Sequence, residues 1–108
     1  MVTKKAMIEW IPKEQGGRDK PPLGVGIPPY STVVHFVDEP WPHPSGSWSL
    51  VVIKDEPRST ESRWVADVHF LVEGAPHDAL REGRAFELYE GGKRVARGLL
   101  LTDPEKGT

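Results

Sequence analysis

Apolar and polar residues alternate along much of this chain with the two-residue period of β-strands. The pattern is clearest in 63–72, where Trp64, Ala66, Val68 and Phe70 take every second position. Shorter runs rich in β-branched and aromatic residues also favour strands. The predicted strands cover 6–11, 30–37, 49–53, 63–72, 84–90 and 93–101.

The last two predicted strands flank Gly91-Gly92, which carries the clearest local signal in the chain. Glycine at both central positions of a two-residue turn admits the positive φ angles of a type I′ hairpin. The register of such a hairpin places Glu90 opposite Lys93 and Leu88 opposite Val95. We therefore predict an ion pair beside the turn and an apolar pair next to it.

Glycine and proline separate the other predicted strands. Residues 13–18 indicate a turn, and 20–29 contain four prolines and two glycines, which exclude a helix and favour an irregular crossing. Three prolines in 38–47 favour an extended loop. At most one short helical turn is predicted, near 77–82.

Six strands with little helix indicate an all-β fold. In about 100 residues, antiparallel strands form a small closed barrel or a sandwich, since an open sheet leaves two exposed edges. We predict a closed six-stranded antiparallel β-barrel. Residues 1–108 would form a single domain, with the barrel at about 5–102 and short flexible termini. The 11 glycines and 11 prolines among 108 residues fit many short segments joined by turns.

Composition and charge narrow the functional classes. The chain has no cysteine, which excludes a disulfide framework, a thiol nucleophile and a thiolate zinc site, and which fits a cytoplasmic protein. A net charge of −2 argues against strong non-specific binding to nucleic acid. No apolar run reaches the roughly 18 residues that span a bilayer, so we expect no membrane partner.

No motif in the chain indicates catalysis. A phosphate-binding G-x-x-x-x-G-K-[ST] loop is absent, so we expect no nucleotide. His35 and His69 occupy predicted strands that could be adjacent, yet no histidine pair has metal-ligand spacing. The acidic pairs before Pro40 and Pro57 suit turn initiation. We expect no catalytic residue, no metal and no cofactor, and hence no enzyme.

Two stretches of the chain resemble the C-terminal β-barrel domain of the translation elongation factor Tu family. Residues 13–18, Lys-Glu-Gln-Gly-Gly-Arg, are similar to the family's Lys-Glu-Glu-Gly-Gly-Arg turn, and 26–30 follow at the place of its Gly-Tyr-Arg-Pro segment. Residues 86–98 resemble the family's terminal hairpin around Glu-Gly-Gly. The order and distance of the two stretches also match. The resemblance covers about 6–101 and implies a six-stranded antiparallel barrel.

The resemblance also implies a binding role. In that family the barrel contacts protein partners and the T stem of aminoacyl-tRNA, the latter through turns that correspond here to Arg18, Glu90 and Gly91. This sequence has Asp19 where the family usually has His, and Pro28 in place of an Arg. Loss of these basic groups favours a protein partner. Arg97 replaces a small residue, which implies a solvated strand end or a bulge at Gly98.

Two readings of the binding role therefore stand side by side. The first is a stand-alone, non-catalytic module for a protein partner; the alternative is an RNA or tRNA module. A barrel that keeps its fold without the ancestral interaction is a third reading. Five basic and three acidic side chains around the hairpin form either a phosphate-facing patch or a solvated face of mixed charge. The basic members are Arg81, Arg84, Lys93, Arg94 and Arg97.

Trp41 lies between Pro40 and Pro42 in the proline-rich loop. Its indole is either an exposed anchor for a partner or a lid on one end of the barrel. The candidate contact residues for a partner or RNA are thus Arg18, Glu90, Gly91, Lys93, Arg94 and Trp41.

Overall fold

The computed structural model describes residues 3–22, 29–40 and 48–102, which contain six β-strands. Each strand lies on one of the apolar runs found in the sequence, with ends that differ by one or two residues. The strands are β1 (Lys4–Trp10), β2 (Tyr30–Phe36), β3 (Trp48–Lys54), β4 (Arg63–Phe70), β5 (Ala85–Glu90) and β6 (Lys93–Leu100).

The six strands close into one antiparallel barrel in the order β1-β4-β3-β2-β5-β6, and β6 pairs back with β1. The closed all-β barrel predicted from the strand count is therefore confirmed. Closure pairs both sides of every strand, so the barrel has no free edge.

The barrel has two distinct ends. At the hairpin end, β1, β3 and β5 finish and β2, β4 and β6 begin, so this end carries the 11–29 connection, the 55–62 connection and the Gly91-Gly92 turn. The opposite end carries the connections after β2 and β4. Most candidate contact residues thus fall at the hairpin end.

The core follows from the two-residue alternation. Ala6, Ile8 and Trp10 of β1 point inward and are buried, whereas the positions between them lie on the outer wall. Aromatic rings fill the two ends of the core. Trp10 contacts Trp64 edge to face with a centroid distance of 4.9 Å at the hairpin end, and Phe36 lies 6.4 Å from Phe70 at the opposite end.

Gly98 faces the core, and the ring of Phe86 occupies the space where a side chain at position 98 would lie. A Cβ atom at position 98 would lie 2.2 Å from Cζ of Phe86, so only glycine fits beside this ring. Phe86 itself is 1% exposed. The bulge that the sequence suggested at Gly98 is not present, since Gly98 pairs regularly with Phe86.

The β5–β6 hairpin differs in detail from its predicted form. Glu90 lies opposite Lys93 as expected, but the predicted ion pair between them is wrong, because Glu90 is bonded to Arg18. Leu88 pairs with Ala96, because Val95 is an extra residue in a β-bulge. The predicted Leu88–Val95 pair is therefore wrong. Of the two turn glycines, only Gly91 has a positive φ angle, of 63°, so the turn lacks the two positive values of type I′ and has the pattern of type II′.

The bulge has a packing cause. Val95 and Ala96 are consecutive residues, yet both are fully buried. Strict alternation would turn one of them to solvent. The extra residue lets both side chains enter the core.

Helical structure in the described ranges is confined to 3₁₀ turns, at Lys13–Gln15, Glu56–Arg58 and His77–Ala79. The third confirms the short turn predicted near 77–82. The second contains Pro57, whose fixed φ angle suits a helical turn, at a place where the sequence predicts a turn without helical form. Within 3–22, 29–40 and 48–102, no helix is long and apolar enough to cross a membrane.

Candidate functional site at the hairpin end

The two turns singled out by the sequence meet at the hairpin end. The bulge exposes the carbonyl of Val95, which accepts a hydrogen bond of 2.9 Å from the backbone N–H of Ile11. The carbonyl of Ile11 in turn accepts one of 3.0 Å from the N–H of Arg18. This chain of backbone bonds fixes the 13–18 turn against the start of β6.

Two glycines allow the turn to take this form. Gly16 has a φ of 90°, a conformation that glycine adopts without steric cost. At Gly17, a Cβ atom would lie 1.8 Å from the carbonyl oxygen of Ile11. The Gly-Gly pair therefore both reverses the chain and lets it approach β1 closely, which places Arg18.

Arg18, Tyr30 and Glu90 form a connected group, here called the Arg18 cluster. The guanidinium of Arg18 is hydrogen-bonded to the carboxylate of Glu90, which also accepts a bond of 2.5 Å from the hydroxyl of Tyr30. The guanidinium carbon lies 5.5 Å from the centre of the Tyr30 ring. The structure thus brings together two predicted contact residues and adds a third partner.

The cluster perturbs the hydroxyl of Tyr30. Burial raises the pKa of Tyr30 because it disfavours the charged phenolate, and the hydrogen bond to Glu90 raises it further because that carboxylate is stabilised by the protonated hydroxyl. Tyr30 also contacts Trp10 edge to face at 5.5 Å. The ring therefore links the charged cluster to the core.

Arg94 is held by a carboxylate on the neighbouring strand. Its guanidinium donates a hydrogen bond of 2.7 Å to Glu87, which raises the pKa of Arg94. Burial opposes ionisation of Glu87, but hydrogen bonds from Arg94, His35 and Tyr89 together keep the pKa of that carboxyl below its usual value. The predicted contact residue Arg94 is thus already paired.

Gly91 and Lys93 are exposed at the tip of the hairpin. Lys93 lies opposite Glu90 in the register, but Glu90 is bonded to Arg18 and Tyr30 instead. Lys13 and Lys20 are exposed at the same end, and none of these three lysines pairs with a carboxylate of a described residue.

A cleft of about 460 Å³ lies beside the Arg18 cluster. Its walls come from the end of β1, the 11–21 segment and Arg97 of β6. Pro12 and Pro21 supply its apolar surface, because Trp10 and Ile11 are buried and expose little. Its charged lining is mixed, with three basic and two acidic side chains: Arg18, Lys20, Arg97, Glu9 and Asp19.

The predicted basic patch around the hairpin is divided between the two ends. Arg84 lies at the opposite end, where its side chain is 10% exposed and is bonded to Asp38, Glu39 and the carbonyl of Ala79. Its guanidinium carbon lies 4.0 Å from the centre of the Phe36 ring. Although burial opposes its charge, the two carboxylates raise the pKa of Arg84. This residue closes the barrel rather than facing a ligand.

The candidate contact residue Trp41 lies outside the described residues, as does the rest of 41–47. Pro40, the last described residue before it, follows β2 at the opposite end of the barrel from Arg18. The prediction for Trp41 stays a prediction.

The histidines in the described ranges do not form a group. His35 and His69 lie on β2 and β4, which β3 separates, so the juxtaposition suggested by the sequence does not occur. His35 is buried instead between the carbonyl of Glu39, at 2.9 Å, and Glu87, at 3.4 Å. Among residues 3–22, 29–40 and 48–102, no three His, Asp or Glu side chains are close enough to hold a metal ion.

The sequence did not identify Tyr30, Lys20 or Glu9 as part of this end. Tyr30 belongs to the Gly-Ile-Pro-Pro-Tyr segment. Its position at the start of β2 is the one sequence feature that places it at an end of the barrel. Glu9 alternates with inward residues of β1, which places it on the outer wall. The spatial neighbours of Tyr30 and Glu9 become known only from the strand order, in which β1, β6, β5 and β2 lie side by side.

No protein-family model matches this chain, and no curated protein matches it.

Proposed function

We propose that this chain is a non-catalytic binding module, resembling the elongation factor Tu C-terminal barrel, whose hairpin end binds a protein partner in the cytoplasm. The observation that carries this proposal is the pairing of its central cations. Arg18 is bonded to Glu90 and Arg94 to Glu87, so the guanidinium groups best placed for phosphate contacts already have anionic partners.

Cations that are not already paired bind a phosphate backbone most favourably, because they displace its counterions. Here the charge of each arginine is already balanced by a carboxylate, and that carboxylate repels a phosphate that approaches the guanidinium. Asp19 adds a further negative charge to the same cleft. RNA therefore gains little from the arginines at this end.

A protein partner suits the same surface better. The cleft combines apolar surface from Pro12 and Pro21 with charges of both signs, a mixed composition that is typical of protein interfaces. Arg18 and Arg97 are of the residue type enriched at such interfaces. A segment of the partner would enter the cleft, and the hairpin tip would contact its rim.

An RNA or tRNA module is the second candidate, since Lys13, Lys20 and Lys93 are exposed at this end without a described carboxylate partner. Point charges of this kind suffice for phosphate contacts that carry no sequence information. The two candidates differ in salt dependence and in ligand, so one set of variants tests both.

The test uses Lys20→Glu/Lys93→Glu at the hairpin end and Arg81→Glu at the opposite end as the matched control. All three positions are exposed and lack a described ion pair, so each variant should fold normally. In affinity capture from native lysate, a partner retained by wild type and by the Arg81 variant, but lost with the double variant, supports the proposal. A parallel capture with Trp41→Ala tests the remaining candidate contact residue.

The RNA arm is a gel-shift titration with tRNA at low and moderate salt. The RNA hypothesis predicts micromolar binding that weakens by roughly tenfold or more as the salt concentration rises about fourfold. If the double variant also abolishes this binding, the RNA hypothesis replaces the protein-partner hypothesis. The protein reading also fails if wild type retains no partner that depends on Lys20 and Lys93.

A further inference from the structure

The outer wall at β4, β1 and β6 carries an apolar row. Met7 pairs with Val65 on one side and with Leu99 on the other, so the three side chains lie abreast on the outer surface. Met7 is 37% exposed and Leu99 42% exposed. Adjacent exposed apolar side chains on a rigid sheet favour a binding surface.

Charged rows border this apolar row on both sides. Toward the hairpin end, Glu9 lies between Arg63, at 3.2 Å, and Arg97, at 3.7 Å. Toward the opposite end, Nζ of Lys5 lies 2.8 Å from Asp67. We call this surface the β1 face, with the rows Arg63-Glu9-Arg97, Val65-Met7-Leu99 and Asp67-Lys5-Leu101.

We propose that the β1 face binds the β1 face of a second copy of this chain. The order of the charges supports this occupant. A two-fold axis that runs along the apolar row, at right angles to β1, reverses the strand direction of the second copy. Glu9 then lies opposite Lys5 of the other copy, and Arg63 lies opposite Asp67.

The same operation places the apolar row against itself. Met7, Val65 and Leu99 each face their own equivalents across the axis, as an isologous interface requires. Both charge contacts occur twice, because the axis repeats them. The alternative axis, parallel to β1, would place Arg63 opposite Arg97, so charge selects the antiparallel arrangement.

The surface relief is compatible with this contact. A shallow groove of about 200 Å³ runs along the β1 face, lined by Met7, Glu9, Arg63, Arg97, Gly98 and Leu99. Methionine side chains are flexible and fill irregular gaps. Met7 can therefore adapt its conformation to the surface of the second copy.

Sedimentation velocity over a concentration series tests the dimer directly. We expect concentration-dependent dimerisation of the wild type, and Met7→Asp should weaken it by about tenfold or more because it places two carboxylates on the axis. Val37→Asp is the matched control, since Val37 is 55% exposed and follows β2, the strand across the barrel from β1. It should dimerise like the wild type.

A charge-complementation experiment excludes a simple folding defect. Arg63→Glu and Asp67→Lys should each fail to self-associate, since each places like charges across the axis. An equimolar mixture of the two variants should form a heterodimer, in which residues 63 and 67 are again of opposite sign in both contacts. No structural role confined to one copy would produce this recovery.

A wild type that stays monomeric at the highest concentration overturns the proposal. The proposal also fails if Met7→Asp leaves the dimer intact, or if the mixture of the two charge variants does not associate. Either result would mean that the dimer contact lies outside the β1 face. The capture and tRNA experiments use Lys20, Lys93 and Arg81, which lie outside the β1 face. Glu9 and Arg97 line both the cleft and the β1 face. None of the substituted residues is shared, so the tests of the dimer and of the hairpin-end partner can still fail independently.

Discussion

At the scale of single residues, Tyr30 is the point where the core meets the charged hairpin end. Its ring contacts Trp10, and its hydroxyl donates to Glu90. Burial and this carboxylate raise the pKa of Tyr30 above that of an unfolded tyrosine. The unfolded chain therefore releases this proton at a lower pH than the folded chain.

This difference predicts a loss of stability in alkali. The contribution of Tyr30 is fully present below about pH 10, the pKa of a free tyrosine, and falls as the pH rises toward the folded pKa. The slope approaches about 1.4 kcal/mol per pH unit. Urea unfolding at several pH values above 9 should show this decline in the wild type.

Tyr30→Phe provides the control for that titration. The variant loses the hydrogen bond to Glu90, so its free energy of unfolding should be lower by about 1 kcal/mol near neutral pH. Above pH 10 its curve should decline less steeply than that of the wild type. Parallel curves would show that Tyr30 ionises alike in both states, contrary to this account.

At the scale of elements, the β5–β6 hairpin shows what a sequence pattern can and cannot specify. The Gly91-Gly92 turn and the Glu90–Lys93 register followed from residue types alone, because they depend on neighbours in the chain. The bulge at Val95 did not, since it arises from core packing and from the contact with Ile11. Local chemistry was predictable; its tertiary adjustment was not.

The candidate site divides along the same line. Arg18 and Glu90 were singled out by the turns that carry them, and they prove to be bonded to each other across 72 residues of sequence. That pairing depends on β1 lying beside β6, because the bond between Ile11 and Val95 holds the 13–18 turn against the hairpin, and no periodicity specifies this adjacency. An arginine that the sequence offers as a free phosphate contact is thus a weaker candidate once its carboxylate partner is known.

The hairpin turn itself yields a prediction at this scale. Gly91 has a φ of 63°, whereas Gly92 does not have a positive φ, and a Cβ atom at either position would meet nothing within 4 Å. Gly91→Ala should therefore cost about 1–2 kcal/mol of unfolding free energy through backbone strain alone. Gly92→Ala, the adjacent control, should be neutral or slightly stabilising.

Chemical denaturation of the two variants measures this difference. Both substitutions add the same methyl group in open space, so any unequal effect reports the backbone conformation. Equal stabilities would contradict the assigned turn. A larger loss in Gly92→Ala would mean that the positive φ lies at the second position.

At the scale of the whole molecule, the barrel has one core and no free edge. Trp10 and Trp64 fill one end of that core, Phe36, Phe70 and Phe86 fill the other, and the pairing of β6 with β1 joins the first strand to the last. Removal of any strand would expose both its neighbours. The strands should therefore unfold together.

We accordingly expect one cooperative, two-state transition in urea. Fluorescence reports the four tryptophans, of which Trp10 and Trp64 pack in the core. Far-ultraviolet circular dichroism reports the strands of the entire barrel, so the two curves should coincide. The slope should be about 1–2 kcal/mol per molar urea, as for other small domains. Two separated midpoints would instead divide the chain into independently folding parts, against the single domain that the strand pattern predicts.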